Sequence, residues 1–189
     1  MLKKFKQWFS ETTSFSQIPL NKKLAKRARL EKDFVQLSDG SFLTVSIGSE
    51  SDISGILKIE SLCYNGKIPW NEYALQHEIK NNNRAIYLIV RQSTKPVGFI
   101  GAWLVEEEAH ITNVAVIPNY QKQGIATFMI TELQKIALQE GIQKVSLEVR
   151  VSNKKAQSLY RTLGFENGKI KENYYSGDRE DALEMSKFL

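Results

Sequence analysis

The chain has 189 residues, enough for one domain with a short appendage and too few for two full domains. Its 42% hydrophobic and 25% charged residues are ordinary globular values, and no apolar run approaches the roughly 18 residues of a membrane span. The net charge of +5 is uneven: residues 1–32 carry nine Lys/Arg against two Glu, a local +7, which leaves 17 basic and 19 acidic side chains, or −2, in the rest. The pI of about 9.2 therefore describes the N-terminal arm, and the composition reads as a basic extension over residues 1–33 before a domain over 34–189. Cys63 is the single cysteine, so no intrachain disulfide can form, which fits a reducing cytoplasm; the thiol itself is expected to pack against the core. His77 and His110 are too few and too scattered for a metal site, and no Cys/His cluster accompanies them.

In the arm, Leu2, Phe5, Trp8 and Phe9 recur at helical spacing among Lys3, Lys4 and Lys6. The seven-residue apolar core of a secretory signal is absent. A loosely docked extension, contact with RNA or a ribosomal surface, and weak interfacial binding to a membrane all fit this pattern.

Residues 34–37 and 41–47 read as short strands around the turn Ser38-Asp39-Gly40. A helix is predicted from Ser51-Asp52, with Ile53, Ile56, Leu57 and Leu62 on one face. Pro69-Trp70-Asn71 marks a break, and Asn71 caps a second helix that runs to about residue 80. Residues 85–90, 97–105 and 110–117 then read as three strands with short links, one of them the charged turn Glu106-Glu107-Glu108. Links this short require antiparallel neighbours. From 124 to about 140 the apolar spacing is helical, with Gly141 as its stop. Residues 145–149 form another strand, so strand, helix and strand make a right-handed parallel crossover. A shorter helix over 153–163 and strands near 165–170 and 182–188 complete an α+β fold. Its mixed sheet starts antiparallel, becomes parallel at the crossover and is flanked by helices.

The loop Gln121-Lys122-Gln123-Gly124-Ile125-Ala126 stands between the third of these strands and its helix. A helix start offers unpaired N–H groups and partial positive charge, which suit phosphate. Gly124 admits a ligand close to the backbone, and Lys122 adds a cation. By itself the loop also fits an ordinary glycine before a helix. A Walker loop is absent, and one glycine does not make the dinucleotide fingerprint.

The loop resembles the Gln/Arg-x-x-Gly-x-Gly/Ala acetyl-CoA motif of the GCN5-related (GNAT) N-acetyltransferases. Asn113-Val114-Ala115-Val116, Leu147-Glu148-Val149-Arg150-Val151-Ser152-Asn153, Leu159-Tyr160, Leu163-Gly164-Phe165, Asn173-Tyr174-Tyr175 and Glu180-Asp181-Ala182 narrow the likeness to the ribosomal-protein alanine N-acetyltransferase (RimI-type) branch. It covers residues 43–189, and the basic arm departs from it. The resemblance implies that Val114, Ala115 and Val116 pair with the pantetheine arm on a bulged strand. It implies that Lys122, Gln123, Gly124, Ile125, Ala126 and Thr127 hold the pyrophosphate, and that Asn153 makes a polar contact. It also implies Glu148 as general base and Tyr160 as general acid.

The chemistry asks for such groups. An α-amine with a pKa near 8 is mostly protonated at neutral pH, so a carboxylate that removes the proton is useful. Strand alternation turns Glu148 away from Leu147 and Val149, which alone reads as a solvated charge. A tyrosine hydroxyl can protonate the departing thiolate, and Cys63 need take no part. The implied reaction is direct attack by an amine on acetyl-CoA in a ternary complex, with a protein N-terminus, foremost that of a small-subunit ribosomal protein, as acceptor. A small-molecule amine acceptor is the alternative on the same scaffold, and a non-catalytic module that binds CoA or the ribosome is the alternative of another class. Tyr174 and Tyr175 could line the acceptor side.

Overall fold

A computed structural model describes residues 23–64, 66 and 71–189. The apolar periodicity of Leu2, Phe5, Trp8 and Phe9, and the break at Pro69-Trp70, lie outside the described residues. One eight-stranded sheet organises the chain, its strands neighbouring one another in chain order except that the eighth lies between the sixth and the seventh.

Strands β1 (Phe34–Gln36) and β2 (Phe42–Ile47) pair antiparallel across a tight turn, in which Gly40 has a positive φ and Asp39 accepts the Ser41 N–H at 2.9 Å. Helix α2 (Ile53–Cys63) follows a 3-10 turn, and α3 (Glu72–Asn81) begins where Asn71 Oδ1 accepts the Ala74 N–H at 2.7 Å. Strands β3 (Ala85–Gln92), β4 (Lys95–Val105) and β5 (Glu108–Val116) form the antiparallel centre. The acidic turn is tighter than its composition implies: Glu106 and Glu107 make it, while Glu108 is the first residue of β5. Helix α4 (Ile125–Gln139) crosses to β6 (Lys144–Arg150), which pairs with β5 in parallel. Helix α5 (Lys154–Thr162) and the hairpin β7 (Glu166–Tyr175) and β8 (Glu180–Phe188) end the chain. The last strand, β8, inserts between β6 and β7.

Both faces of the sheet are covered. On one, Ile125, Met129, Ile130, Leu133 and Ile136 of α4 are fully buried, and Ile125 lies against Gly98. On the other, α2 comes so near that a Cβ on Gly55 would stand 2.7 Å from Pro96 Cγ.

The packed body starts before residue 34. Leu24, in the single-turn α1 (Leu24–Arg27), is 0% exposed and its N–H donates to Asn83 O at 2.9 Å. Arg27 Nη2 pairs with Glu140 at 2.6 Å, and buried Glu132 accepts the N–H groups of Glu31 and Lys32 at 3.1 and 3.3 Å. Residues 24–32, basic by composition, thus lie docked along α4.

Candidate active site

Strands β5 and β6 part company. Residues 108–111 pair with 144–147, but no pairing continues beyond Ile111 and Leu147. The register of β5 against β4 also slips there, with Thr112 as the extra residue between Ile111 and Asn113. The bulge therefore lies two residues ahead of Val114-Ala115-Val116. Past it, the β6-facing backbone groups of residues 113–116 line a wedge between the strands.

The wedge leads to the mouth of α4. Gln121 Nε2 donates to Val116 O at 2.9 Å and Gln123 Nε2 to Asn119 O at 3.0 Å, which holds the turn against the strand. Lys122 and Gly124 both adopt positive φ, 60° and 79°. Among the described residues nothing lies within 4 Å of where a Gly124 Cβ would stand. The ladder of α4 opens with Phe128 N–H to Gly124 O at 2.9 Å, so the amides of Ile125, Ala126 and Thr127 precede the first rung. With the helix dipole and Lys122 they form a cradle for an anion.

Glu148 stands on β6 just past the parting. Leu147 and Val149 turn into the core, and the Glu148 side chain is itself 8% exposed. Alternation gave its face correctly, yet that face is not solvent. Lys171 Nζ of β7 donates to Oε1 at 2.6 Å, Tyr174 O–H to Oε2 at 3.1 Å, and His110 Nε2 of β5 lies 3.1 Å from Oε2. Burial would raise the Glu148 carboxyl, but the hydrogen bonds and charges of His110 and Lys171 outweigh it and hold the group down to about 2. His110 and Lys171 carried no signal in the sequence. Their place depends on the parallel register of β5 with β6 and on the insertion of β8 beside β6.

Tyr160 on α5 packs against Phe165 at 5.8 Å between ring centroids, and burial pushes its hydroxyl up to about 12. Tyr175 packs edge-on against Tyr174, with 5.2 Å between ring centroids, and reaches the Glu148 backbone. Its O–H donates to Glu148 O at 3.5 Å, and its ionisation is opposed by burial and by the Glu148 charge, against the favourable charge of Arg150. Arg150 lies over the Tyr175 ring at 3.9 Å and pairs with Glu180 at 2.5 Å. Asn153 spends Oδ1 on the α5 cap, accepting the Ala156 N–H at 3.1 Å. On the opposite flank Tyr64 O–H donates to Asn113 Oδ1 at 3.0 Å, and Asn113 Nδ2 to Glu60 Oε1 at 2.8 Å. Cys63 is half-buried and donates to Val116 O at 3.3 Å, and burial raises its thiol, so it stays protonated.

An anion cradle, an unpaired strand edge and a buried carboxylate thus converge on one wedge. The model of the acetyltransferase (GNAT) family matches residues 53–165. A Bacillus subtilis (strain 168) relative is 35% identical over 134 residues, covering 71% of this chain and 87% of its own. The ribosomal-protein-S18-alanine N-acetyltransferase of Escherichia coli superposes with a TM-score of 0.69 at 31% identity, covering 77% of this chain and 93% of that one. Arabidopsis thaliana NAA60 in complex with acetyl-CoA shares the fold at 17% identity, with a TM-score of 0.68 over 78% of this chain and 98% of its own.

Proposed function

Since the chain belongs to the acetyltransferase (GNAT) family, we propose that it carries acetyl from acetyl-CoA to the N-terminal α-amine of a ribosomal protein. The observation that carries this reading is the buried, ionised Glu148 at the end of the wedge between β5 and β6. The Escherichia coli relative is named ribosomal protein bS18-alanine N-acetyltransferase, which makes an alanine terminus the first acceptor to test.

The residues present fit acetyl-CoA. The amides of Ile125, Ala126 and Thr127, with Lys122 and the bare face of Gly124, would hold its pyrophosphate, and residues 113–116 would pair with its pantetheine arm. Asn153 has its amide donors left for a further polar contact. Acetyl-CoA supplies the activated acyl group as a thioester. Glu148 draws the α-ammonium to the wedge and takes its proton, freeing the lone pair for attack. Lys171 already shows that an ammonium fits against Oε1, at 2.6 Å. Tyr160, protonated throughout the neutral range, donates a hydrogen bond to the departing sulfur and then its proton, and it is reprotonated by the second proton that the attacking nitrogen sheds as it becomes an amide. Tyr174 and Tyr175 steady Glu148 and wall the acceptor side.

The test is incubation with acetyl-CoA and a peptide that begins with the alanine terminus of a small-subunit ribosomal protein, beside a panel of polyamines and aminosugars. Mass spectrometry should find the acetyl group on the peptide α-amine. Acetylation of a small amine alone would replace the acceptor, and absence of CoA release with every amine would refute an enzymatic role.

A further inference from the structure

Acetyl transfer from a thioester to an ammonium releases a proton: R–NH3+ and CH3CO–SCoA become R–NH–COCH3, HSCoA and H+. Glu148 is 8% exposed before any acceptor arrives, and an acceptor terminus in the wedge covers its remaining access to water. Behind it lies a continuous line of polar groups. His110 Nε2 is 3.1 Å from Glu148 Oε2, and His110 Nδ1 is 2.9 Å from Ser146 Oγ. The Ser146 hydroxyl donates to Glu108 Oε1, and Glu108 Oε2 accepts from Lys144 Nζ at 2.8 Å. His110 and Ser146 are both 5% exposed, whereas Glu108 and Lys144 reach the surface. The line follows the paired part of the two strands, where Glu108 stands opposite Lys144 and His110 opposite Ser146. It therefore runs from the wedge to the far end of β5 and β6.

We propose that His110, Ser146 and Glu108 form a charge-compensating proton exit for Glu148. This rests on Glu148 being the base of the proposed reaction. Counting donors sets the resting state. A carboxylate can only accept, and a serine hydroxyl has one proton to give. With that proton on Glu108, the line is saturated when the His110 ring carries both N–H groups, one toward Glu148 and one toward Ser146. As Glu148 takes the ammonium proton, Ser146 passes its own proton to Glu108 and receives the one on His110 Nδ1. Serine ends with the proton count it began with. The buried pair changes from carboxylate and imidazolium to carboxylic acid and neutral imidazole, so its net charge is zero throughout. Glu108 hands its proton to water. When the product leaves, Glu148 discharges to the reopened wedge and the ring is recharged through Glu108, so one proton is released per turnover. In a poorly solvated site a compensated change costs far less than an added charge. The same transfer removes the cation that holds Glu148 least basic. The other titratable groups around this line are Lys171 and Tyr174 on β7 and Glu184 on β8, which pairs with Lys171 at 3.0 Å. Trp103 of β4 stands in register with His110.

In this role His110 and Ser146 act through Glu148, as positioning residues. Ser146→Ala cuts the line while sparing Glu148 and His110. It should lower kcat by about 10²-fold, leave KM for acetyl-CoA unchanged, and convert a curved proton inventory in mixed H2O/D2O into a linear one. Glu108→Gln should do the same, and Ser146→Thr, which restores the hydroxyl, should recover both rate and curvature. Wild-type kcat and an unaltered inventory in Ser146→Ala and Glu108→Gln, with Glu148→Gln inactive, would overturn the exit and leave the acetyltransferase reading standing. Nitrogen NMR of the imidazoles supplies a readout that needs no turnover. With His77→Gln used for assignment, the wild-type His110 ring should carry one N–H toward Glu148 and another toward Ser146, as the donor count requires. A singly protonated ring in an active enzyme would defeat the exit alone, whereas an unreactive wild type would defeat the proposed function and, with it, the exit that rests on it.

Discussion

Glu148→Gln offers a quantitative test of how the carboxylate is held, independent of any substrate. The carboxyl falls from an ordinary 4.5 to about 2 because His110 and Lys171 outweigh the burial that would raise it. That drop corresponds to about 3 kcal/mol of folding stability. A group depressed in the folded state contributes fully above its unfolded value, and the contribution is lost as pH falls through the folded value. The window here is therefore pH 4.5 down to about 2. The variant should be about 3 kcal/mol less stable at pH 7, or roughly 6–12 °C lower in Tm for a chain of this size. Urea unfolding of both proteins from pH 7 to 2 should show the gap closing by about 1.4 kcal/mol per pH unit inside the window. Whatever gap stays constant belongs to packing and neutral hydrogen bonds. A gap that stays level from pH 7 to 2, or is absent at pH 7, would refute the assignment of Glu148 as a buried, partnered anion.

Three further outcomes are expected. Tyr160→Phe should bind acetyl-CoA with wild-type affinity by calorimetry yet turn over about 10²–10⁴-fold more slowly in a thiol-release assay. Gly124→Val should raise KM for acetyl-CoA and cost about 1–2 kcal/mol in thermal unfolding, because a side chain at φ +79° is strained and projects into the anion cradle. Leu24→Ala should lower stability by about 2–5 kcal/mol in denaturant titration while kcat is unchanged, since Leu24 is fully buried under the docked N-terminal segment.

Most elements were legible because their signals are local. Asn71 caps α3 as its side chain predicts, Gly124 stands at the start of α4, and the short links among β3, β4 and β5 left antiparallel pairing as the workable choice. The insertion of β8 between β6 and β7 was not legible, since hairpin order alone would put β7 next to β6. The partners of Glu148 depend on that insertion: Lys171 and Tyr174 come from β7, with Glu184 of β8 between, and His110 comes from the other side. Composition likewise grouped residues 24–32 with a basic arm, because Lys and Arg dominate there. Their docking rests on Leu24 and on the distant acids Glu132 and Glu140.

The parting of β5 from β6 also decides where an extended chain can be received. A sheet invites strand addition wherever a row of backbone donors and acceptors lies open, and such rows are hazards on an outer rim. Here one rim is the three-residue β1, and the other is β7, whose pairing slips twice and which carries Glu166, Lys169, Lys171 and Glu172. Both are poor templates for an intruding strand. Among the described strands, the straight open row is the internal one at residues 113–115, up to the Val116 carbonyl that Gln121 and Cys63 already hold, so backbone pairing, a promiscuous interaction elsewhere, is confined to the place beside Glu148.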